Sequence, residues 1–240
     1  MDTICAIATA LQSAAIGVIR MSGDNAVNIA DKIFKPYNKT PLNKYKAASV
    51  AVGKIYDEDE LIDEVVVTVF VSPHSYTGEN TVEISCHGSV YILSKIMQTL
   101  IKNGARQAEC GEFTKRAFLN GKKDLTSAQA VADIISSVSK FENQIAQNTL
   151  SGSVYNKLIE TEKRLTDLLA LYIAQIDYPD DEIDSINISE TKNILLNAKS
   201  ELSTLAESYN KGSYLQNGIN ITIIGSPNAG KSSLFNQLCG

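Results

Sequence analysis

Gly225-Ser226-Pro227-Asn228-Ala229-Gly230-Lys231-Ser232 has the spacing G-x-x-x-x-G-K-S, and its reading frames everything before it. Upstream, Ile219, Ile221 and Ile223 alternate with Asn220 and Thr222, which predicts a short strand over 219–224. Downstream, Ser233 to Leu238 is amphipathic and predicts a helix. A strand, a glycine-rich turn and a helix in that order are the setting of a phosphate-binding P-loop. The glycines let the backbone turn tightly and aim its N–H groups at a phosphate chain, and the helix adds the positive end of its dipole. Lys231 would reach the β- and γ-phosphates, and the Ser232 hydroxyl would hold Mg²⁺. The plain alternative is a Gly/Pro turn leading into a helix.

A nucleotide-binding domain needs a several-stranded sheet and normally more than about a hundred residues. Residues 219–240 hold only its first β-loop-α unit, so the rest of a G domain is expected beyond Gly240 and the preceding residues must be something else.

The chain has 240 residues, 44% of them hydrophobic and 20% charged, which fits one to two globular domains. A net charge of −5 argues against a chain coated with basic nucleic-acid contacts but leaves room for a local basic patch. The four cysteines, Cys5, Cys86, Cys110 and Cys239, have no metal-ligand spacing, and a reduced, cytoplasmic setting is expected. Cys86 adjoins His87, but neighbours on a strand face opposite sides, which argues against a thiol–imidazole pair. Neither a signal peptide nor a membrane span is expected.

In chain order, Thr3 to Thr9 and Ile16 to Ser22 read as strands, and Ala26 to Phe34 as a helix after Ser22-Gly23-Asp24. Ala47 to Tyr56 and Leu61 to Val71 predict a hairpin around Asp57-Glu58-Asp59-Glu60, with β-branched Val65 to Val71 as a central strand. The turn-rich loop Ser72 to Glu79 precedes a strand over Thr81 to Cys86, with Val82 and Ile84 on one face and Glu83 on the other. Gly88 to Asn103 predicts a helix closed by Gly104, and Ala105 to Cys110 a last strand. Strands and helices alternate up to about residue 120, which predicts one α/β or α+β domain over residues 1–121.

From Glu112 the period is helical. A short helix spans Glu112 to Asn120, and a much longer one starts at Thr126. Helical spacing continues from Ile145 to Ile176 and breaks at Tyr178-Pro179. Ser189 is the expected cap of a helix over Ile194 to Leu205 that frays toward Gly212 and Gly218. Residues 122–218 thus read as a helical section, and 219–240 as the start of the P-loop domain. The acidic run Asp180-Asp181-Glu182 reads as a solvated turn rather than a metal site.

The ordered motifs resemble one family. They are Asp2-Thr3-Ile4, Ile16-Gly17-Val18-Ile19-Arg20-Met21-Ser22-Gly23, Tyr76-Thr77-Gly78-Glu79-Asn80, Val82-Glu83 and His87-Gly88. They continue through Gly111-Glu112-Phe113-Thr114-Lys115-Arg116-Ala117-Phe118-Leu119-Asn120-Gly121-Lys122, Asp124-Leu125, and Ile176-Asp177-Tyr178-Pro179-Asp180-Asp181-Glu182 to the phosphate loop. This set is similar to the MnmE (TrmE) family of tRNA-modification GTPases over the whole chain. The resemblance implies an N-terminal domain that dimerises and binds a tetrahydrofolate, then a helical domain with a G domain inserted into it. It also implies a potassium-dependent GTPase that works with the FAD protein MnmG. Together they modify carbon 5 of the wobble uridine of certain tRNAs, with a one-carbon unit from the folate.

By the same resemblance, Arg20, Glu83 and Lys122 contact the folate. The chemistry agrees: a reduced pterin offers adjacent N–H donors to an acceptor-only carboxylate, and its glutamate tail suits Arg20 or Lys122. From Lys95 to Lys123 there are seven bases against two acids, so a local positive surface is expected. From periodicity alone, Glu83 reads as the polar side of a half-buried strand and Lys122 as a solvated turn lysine. In the loop, Asn228 would help hold K⁺, while Ala229, Gly230, Lys231, Ser232 and Ser233 would bind GTP and Mg²⁺. The sequence departs from the family where a Pro-Gly-Arg-Gly-Gly-like segment is replaced by Leu11-Gln12-Ser13-Ala14-Ala15-Ile16-Gly17, and where Cys110 replaces a proline. Two other readings remain: a folate-binding dimerisation module without GTPase activity, and an unrelated P-loop ATPase with a helical adaptor.

Overall fold

The computed structural model describes residues 2–177, 187–217 and 222–239. The chain divides into two compact units, one ending at Ala128 and one starting at Gln129.

The first unit is built on one seven-stranded sheet. Its strands are β1 (Ile4–Ile7), β2 (Ile16–Ser22), β3 (Phe34–Pro36), β4 (Ser49–Asp57), β5 (Glu60–Phe70), β6 (Thr81–His87) and β7 (Arg106–Gln107), in the order β3-β4-β5-β6-β2-β1-β7. All pairings are antiparallel except β1 with β7. The helices are segregated rather than alternating with parallel strands, so the domain is α+β. Alternation decides which face is covered. Val65, Val67 and Val69 of β5 and Val82, Ile84 and Cys86 of β6 are buried, together with Ile19 and Met21 of β2. Against them pack Ile29 and Ile33 of α1 (Ala26–Ile33) and Leu93, Ile96 and Leu100 of α2 (Val90–Lys102). Gly104 closes α2 at φ 107°, a backbone that L side chains rarely adopt.

The opposite face stays more open. Val50, Val52 and Val66 project there and are exposed, and register places Val52 opposite Val66. On this face Arg20 lies directly across from Glu83, on two neighbouring strands in the middle of the sheet.

Several local expectations change. Phe34 ends α1 and starts β3, because its amide still bonds Ala30 while its own backbone is extended. The acidic turn narrows to Glu58-Asp59, since Asp57 and Glu60 already pair. Only Arg106 and Gln107 of the expected last strand pair with β1.

A short helix, α3 (Glu112–Leu119), follows in the first unit. The helix expected from Thr126 is α4 (Leu125–Ser136), and the helical spacing from Ile145 to Ile176 falls in two helices, α5 (Lys140–Leu150) and α6 (Ser153–Asp177). Asp124 starts α4 by accepting from the Ser127 amide at 2.9 Å. Ser139 starts α5 by accepting from the Glu142 amide, while the Glu142 carboxylate takes the Val138 amide at 2.8 Å. This reciprocal arrangement favours a fresh helix start over a continuous one. Asn187, not Ser189, caps α7 (Ile188–Asn217): its side-chain oxygen accepts from the amides of Ser189 and Glu190. The helix runs through Gly212 without ending there. Within the second unit α5, α6 and α7 pack on one another, with Arg164 of α6 paired to Glu201 of α7.

The strand expected over 219–224 is not borne out where it can be described. Residues 222–225 pair with no strand, and a strand exists only through its partners; 219–221 lie outside the described residues. A turn over 226–230 then leads into α8 (Lys231–Cys239). Tyr178-Pro179 and Asp180-Asp181-Glu182 also lie outside the described residues.

Leu93 is fully buried in the first turn of α2. Leu93→Ala should destabilise the first unit by about 2–5 kcal/mol, read as a lower urea midpoint.

Candidate functional site

Arg20 reaches Glu83 from the adjacent strand. Its Nε donates to Glu83 Oε1 at 2.8 Å and its Nη2 makes an ion-pair contact with the same oxygen at 2.6 Å, while Oε2 carries neither contact. Both side chains are about a quarter exposed. The Arg20 guanidinium also lies 5.3 Å from the Tyr76 ring centre and 5.8 Å from that of Phe113, distances at which cation–π attraction acts. Lys123 places its ammonium 5.6 Å from the same Tyr76 ring. The site is therefore a carboxylate, a guanidinium and two aromatic rings on the open sheet face, with a lysine at Tyr76.

Tyr76 belongs to the loop between β5 and β6, and that loop is anchored at many points. The Tyr76 hydroxyl pairs with Thr114 of α3 at 3.0 Å. The Thr77 hydroxyl is buried against Ser22 and Thr81, and its carbonyl accepts from Asn120. Glu79 accepts from Ser22 and from Arg116. Gly78 has φ 80°, and a Cβ there would stand 3.2 Å from the Lys122 side chain and 3.3 Å from Asn120. The backbone conformation favours a glycine, and the approach of Lys122 leaves little room for a side chain. Lys122 itself donates to the Pro73 carbonyl at 3.1 Å.

Arg116 is the deepest charge here, with its side chain 6% exposed. It donates to Glu79, Glu112, and the carbonyl and carboxylate of Asp2. Arg106 completes the cluster by bonding Glu112 and Asp2. The Arg106 contact, aided by the Glu109 amide and Arg116 and opposed by burial, brings Glu112 down to about 2. Asp2 is lowered by the same two arginines, Arg106 first.

The basic run from Lys95 to Lys123 is mostly neutralised by folding. Lys95 and Lys102 pair with Asp57, Glu58 and Glu60 of the β4–β5 turn. Arg106 and Arg116 pair as described. Lys115, Lys122 and Lys123 are the three bases of the run with no carboxylate partner among the described residues.

Cys86 and His87 do not face each other. Cys86 is buried, and burial pushes its thiol up to about 11. His87 is largely exposed and bonds Asp63 through Nδ1 at 2.7 Å; that carboxylate raises its pKa. No group of three or more metal-ligating side chains occurs among the described residues.

In the second unit, Asn228 and Gly230 adopt φ 63° and 80°, which folds the chain into the start of α8. Lys231 Nζ donates to the carbonyls of Gly225 and Ser226, at 2.9 and 2.7 Å. Asn228, Ala229, Gly230, Ser232 and Ser233 lie along this turn and the first turn of α8.

Of the residues singled out for a folate, Arg20 and Glu83 are in direct contact, while Lys122 lies on the anchored loop at Pro73. Tyr76, Phe113 and Lys123 were not singled out from the sequence. The available signal was an aromatic in an otherwise polar loop, which needs a partner to be worth placing there.

A mixed sheet with a polar site on its open face, then a helical unit ending in a glycine-rich turn, defines the class of protein. Residues 3–122 match the family described as "GTP-binding protein TrmE N-terminus", and residues 125–234 match "MnmE helical domain". The chain is 43% identical over 238 residues to a "tRNA modification GTPase MnmE" of Bacteroides thetaiotaomicron, covering 99% of this chain and 51% of that protein. A Clostridioides difficile protein of the same name is 39% identical over 239 residues, covering 100% and 52%. A Thermoanaerobacter sp. protein of that name is 43% identical over 242 residues, covering 99% and 52%. The chain belongs to the MnmE (TrmE) family, and it spans about half the length of the curated relatives it matches.

Glu112 yields a pH prediction. Its folded pKa, about 2, lies below its ordinary 4.5. The stability it contributes is therefore complete above pH 4.5 and lost as the pH falls toward about 2. In acid titrations followed by circular dichroism, Glu112→Gln should narrow its stability gap to the native chain across that window.

Proposed function

We propose that the first unit binds a tetrahydrofolate derivative on its open sheet face, and that the chain forms part of a tRNA-modifying GTPase. The observation that carries the folate reading is the Arg20–Glu83 pair with Oε2 of the carboxylate left free of it. A reduced pterin presents adjacent N–H donors, and an ionised carboxylate accepts without donating. Tyr76 and Phe113 offer flat apolar surface for the ring system, and Lys122 a charge for the glutamate end.

In this reading the turn around Asn228 to Ser233 binds GTP. Its shape fits that role: positive φ at Asn228 and Gly230 bends the chain into a helix start, and Lys231 sits where phosphates would replace the loop carbonyls it now bonds. Ser232 would ligate Mg²⁺ and Asn228 K⁺, supplying charge neutralisation for the phosphates. Residues 1–240 contain no D-x-x-G or N-K-x-D element, so this stretch alone should not turn over GTP.

The wider reading is a cytoplasmic, potassium-dependent GTPase that works with an MnmG-type FAD protein on carbon 5 of the wobble uridine of certain tRNAs. The relatives carry the name tRNA modification GTPase. A homodimer is part of this reading and is supported by the exposed Val50, Val52 and Val66 on the face that carries Arg20 and Glu83. No described helix is long and apolar enough to cross a membrane.

Titration calorimetry with 5-formyltetrahydrofolate tests the folate site. Glu83→Ala should weaken binding at least about tenfold, the loss of a charge-assisted pair of bonds, while leaving the urea midpoint nearly unchanged. Binding that survives Glu83→Ala at native strength would sink the assignment. Size-exclusion chromatography with light scattering tests the dimer: the expected outcome at micromolar concentration is twice the chain mass, and a strict monomer would contradict it.

A further inference from the structure

The notable feature outside the Arg20–Glu83 contact is the distribution of unpaired cations. Folding brings carboxylates to Lys95, Lys102, Arg106 and Arg116 from distant parts of the chain. It brings none to Lys115, Lys122 or Lys123 among the described residues. Two of them meet one loop, and the third lies on α3, which that loop packs against through Thr114. Lys123 lies at the Tyr76 ring, Lys122 bonds Pro73 of the same loop, and Lys115 follows Thr114, which holds the Tyr76 hydroxyl. The nearby Asp124 makes no ion pair with them among the described residues; its oxygens accept from Thr126 and Ser127 at the start of α4.

A binding site for one small ligand has little need of three free lysines. Each unpaired ammonium at a common edge repels its neighbours, at a cost that an anion removes. A folate with a single glutamate carries two carboxylates, and Arg20 already lies near the ring end. Every further γ-linked glutamate adds one more carboxylate along a flexible chain, able to meet a further ammonium group.

We propose that Lys115, Lys122 and Lys123 form a tail-reading rim, and that the ligand class of this site is a poly-γ-glutamylated reduced folate. The inference rests on the folate reading of Arg20 and Glu83. Specificity is divided: Glu83 and the aromatic rings select the reduced pterin, and the lysines select tail length through charge. The rim is exposed, so its contribution per pair is modest and falls with salt.

The test is calorimetry on the full 240-residue chain with 5-formyltetrahydrofolate as its monoglutamate and its triglutamate, at low and at high salt. The readout is the ratio of the two affinities. The triglutamate should bind roughly fivefold tighter at low salt, from two added surface pairs, and the gain should shrink at high salt. In the Lys115→Ala/Lys123→Ala variant the ratio should approach one. These are surface positions, and circular dichroism shows whether the variant is folded. A native ratio near one, with the monoglutamate bound, overturns the tail rim and leaves the folate reading standing. A gain that persists in the folded double variant overturns the assignment to these lysines. Failure of both ligands to bind overturns the folate reading, and the tail rim with it.

Discussion

The first unit depends on a buried cation. The Arg116 guanidinium has almost no contact with water, and an unmatched charge in that position would be severely destabilising. It is matched by three carboxylates from three parts of the chain: Asp2 near its start, Glu79 before β6 and Glu112 one turn back on α3. No buried polar side-chain atom is left without a partner among the described residues. An apolar cluster of equal volume would hold the same elements together, but without direction. The ion cluster fixes geometry. Glu79, held by Arg116, holds Ser22 of β2; Ser22 meets Thr77; and Thr77 follows the ring that lies over Arg20. The placement of Tyr76 thus traces back to one arginine that does not itself bond Glu83.

Much of this unit is legible in the sequence because two periods are strongly written. Val65, Val67 and Val69 alternate with more exposed residues, as do Val82, Ile84 and Cys86, so the buried face and the outward aim of Glu83 follow from residue order alone. The elements that fail are those fixed by partners rather than by pattern. β3 is three residues long and exists through its pairing with β4. The break after Ser136 depends on the reciprocal bonds of Ser139 and Glu142, whereas the apolar spacing runs on through it. Asn187 caps α7 although Ser189 is an equally good capping residue by type. The expected strand before the glycine-rich turn has good alternation, but residues 222–225 pair with no strand among the described residues.

Charge is where residue order misleads most. Counted locally, Lys95 to Lys123 is a basic stretch. In the fold, Lys102 meets Glu58 and Arg116 meets Asp2, partners 44 and 114 residues away. What remains without a carboxylate partner among the described residues of this run is Lys115, Lys122 and Lys123, not a surface. A count over a window samples only sequence neighbours, while an ion pair of a few ångströms is set by which strands and turns the sheet brings together. The cross-strand contact of Arg20 with Glu83 has the same origin: the two positions are 63 residues apart, joined by the β2–β6 register.

That contact also explains how an ion pair and a binding site can be the same group. Both Arg20 donors converge on Oε1 of Glu83. The carboxylate is held in orientation, yet its second oxygen is outside the pair. A carboxylate has about four lone-pair positions, so an incoming pair of N–H groups need not compete for the ones Arg20 uses. A lone glutamate on an open sheet face would rotate freely and present no fixed direction; a glutamate paired through both oxygens would have one acceptor position on each already occupied. Pairing through one oxygen avoids both costs, and it requires that the guanidinium approach from the side. Tyr76 and Phe113 flank the guanidinium in the arrangement that makes this approach, and Tyr76 is in turn tied to Thr114. The direction of the free oxygen is therefore set by the aromatic wall, and through it by the buried arginine.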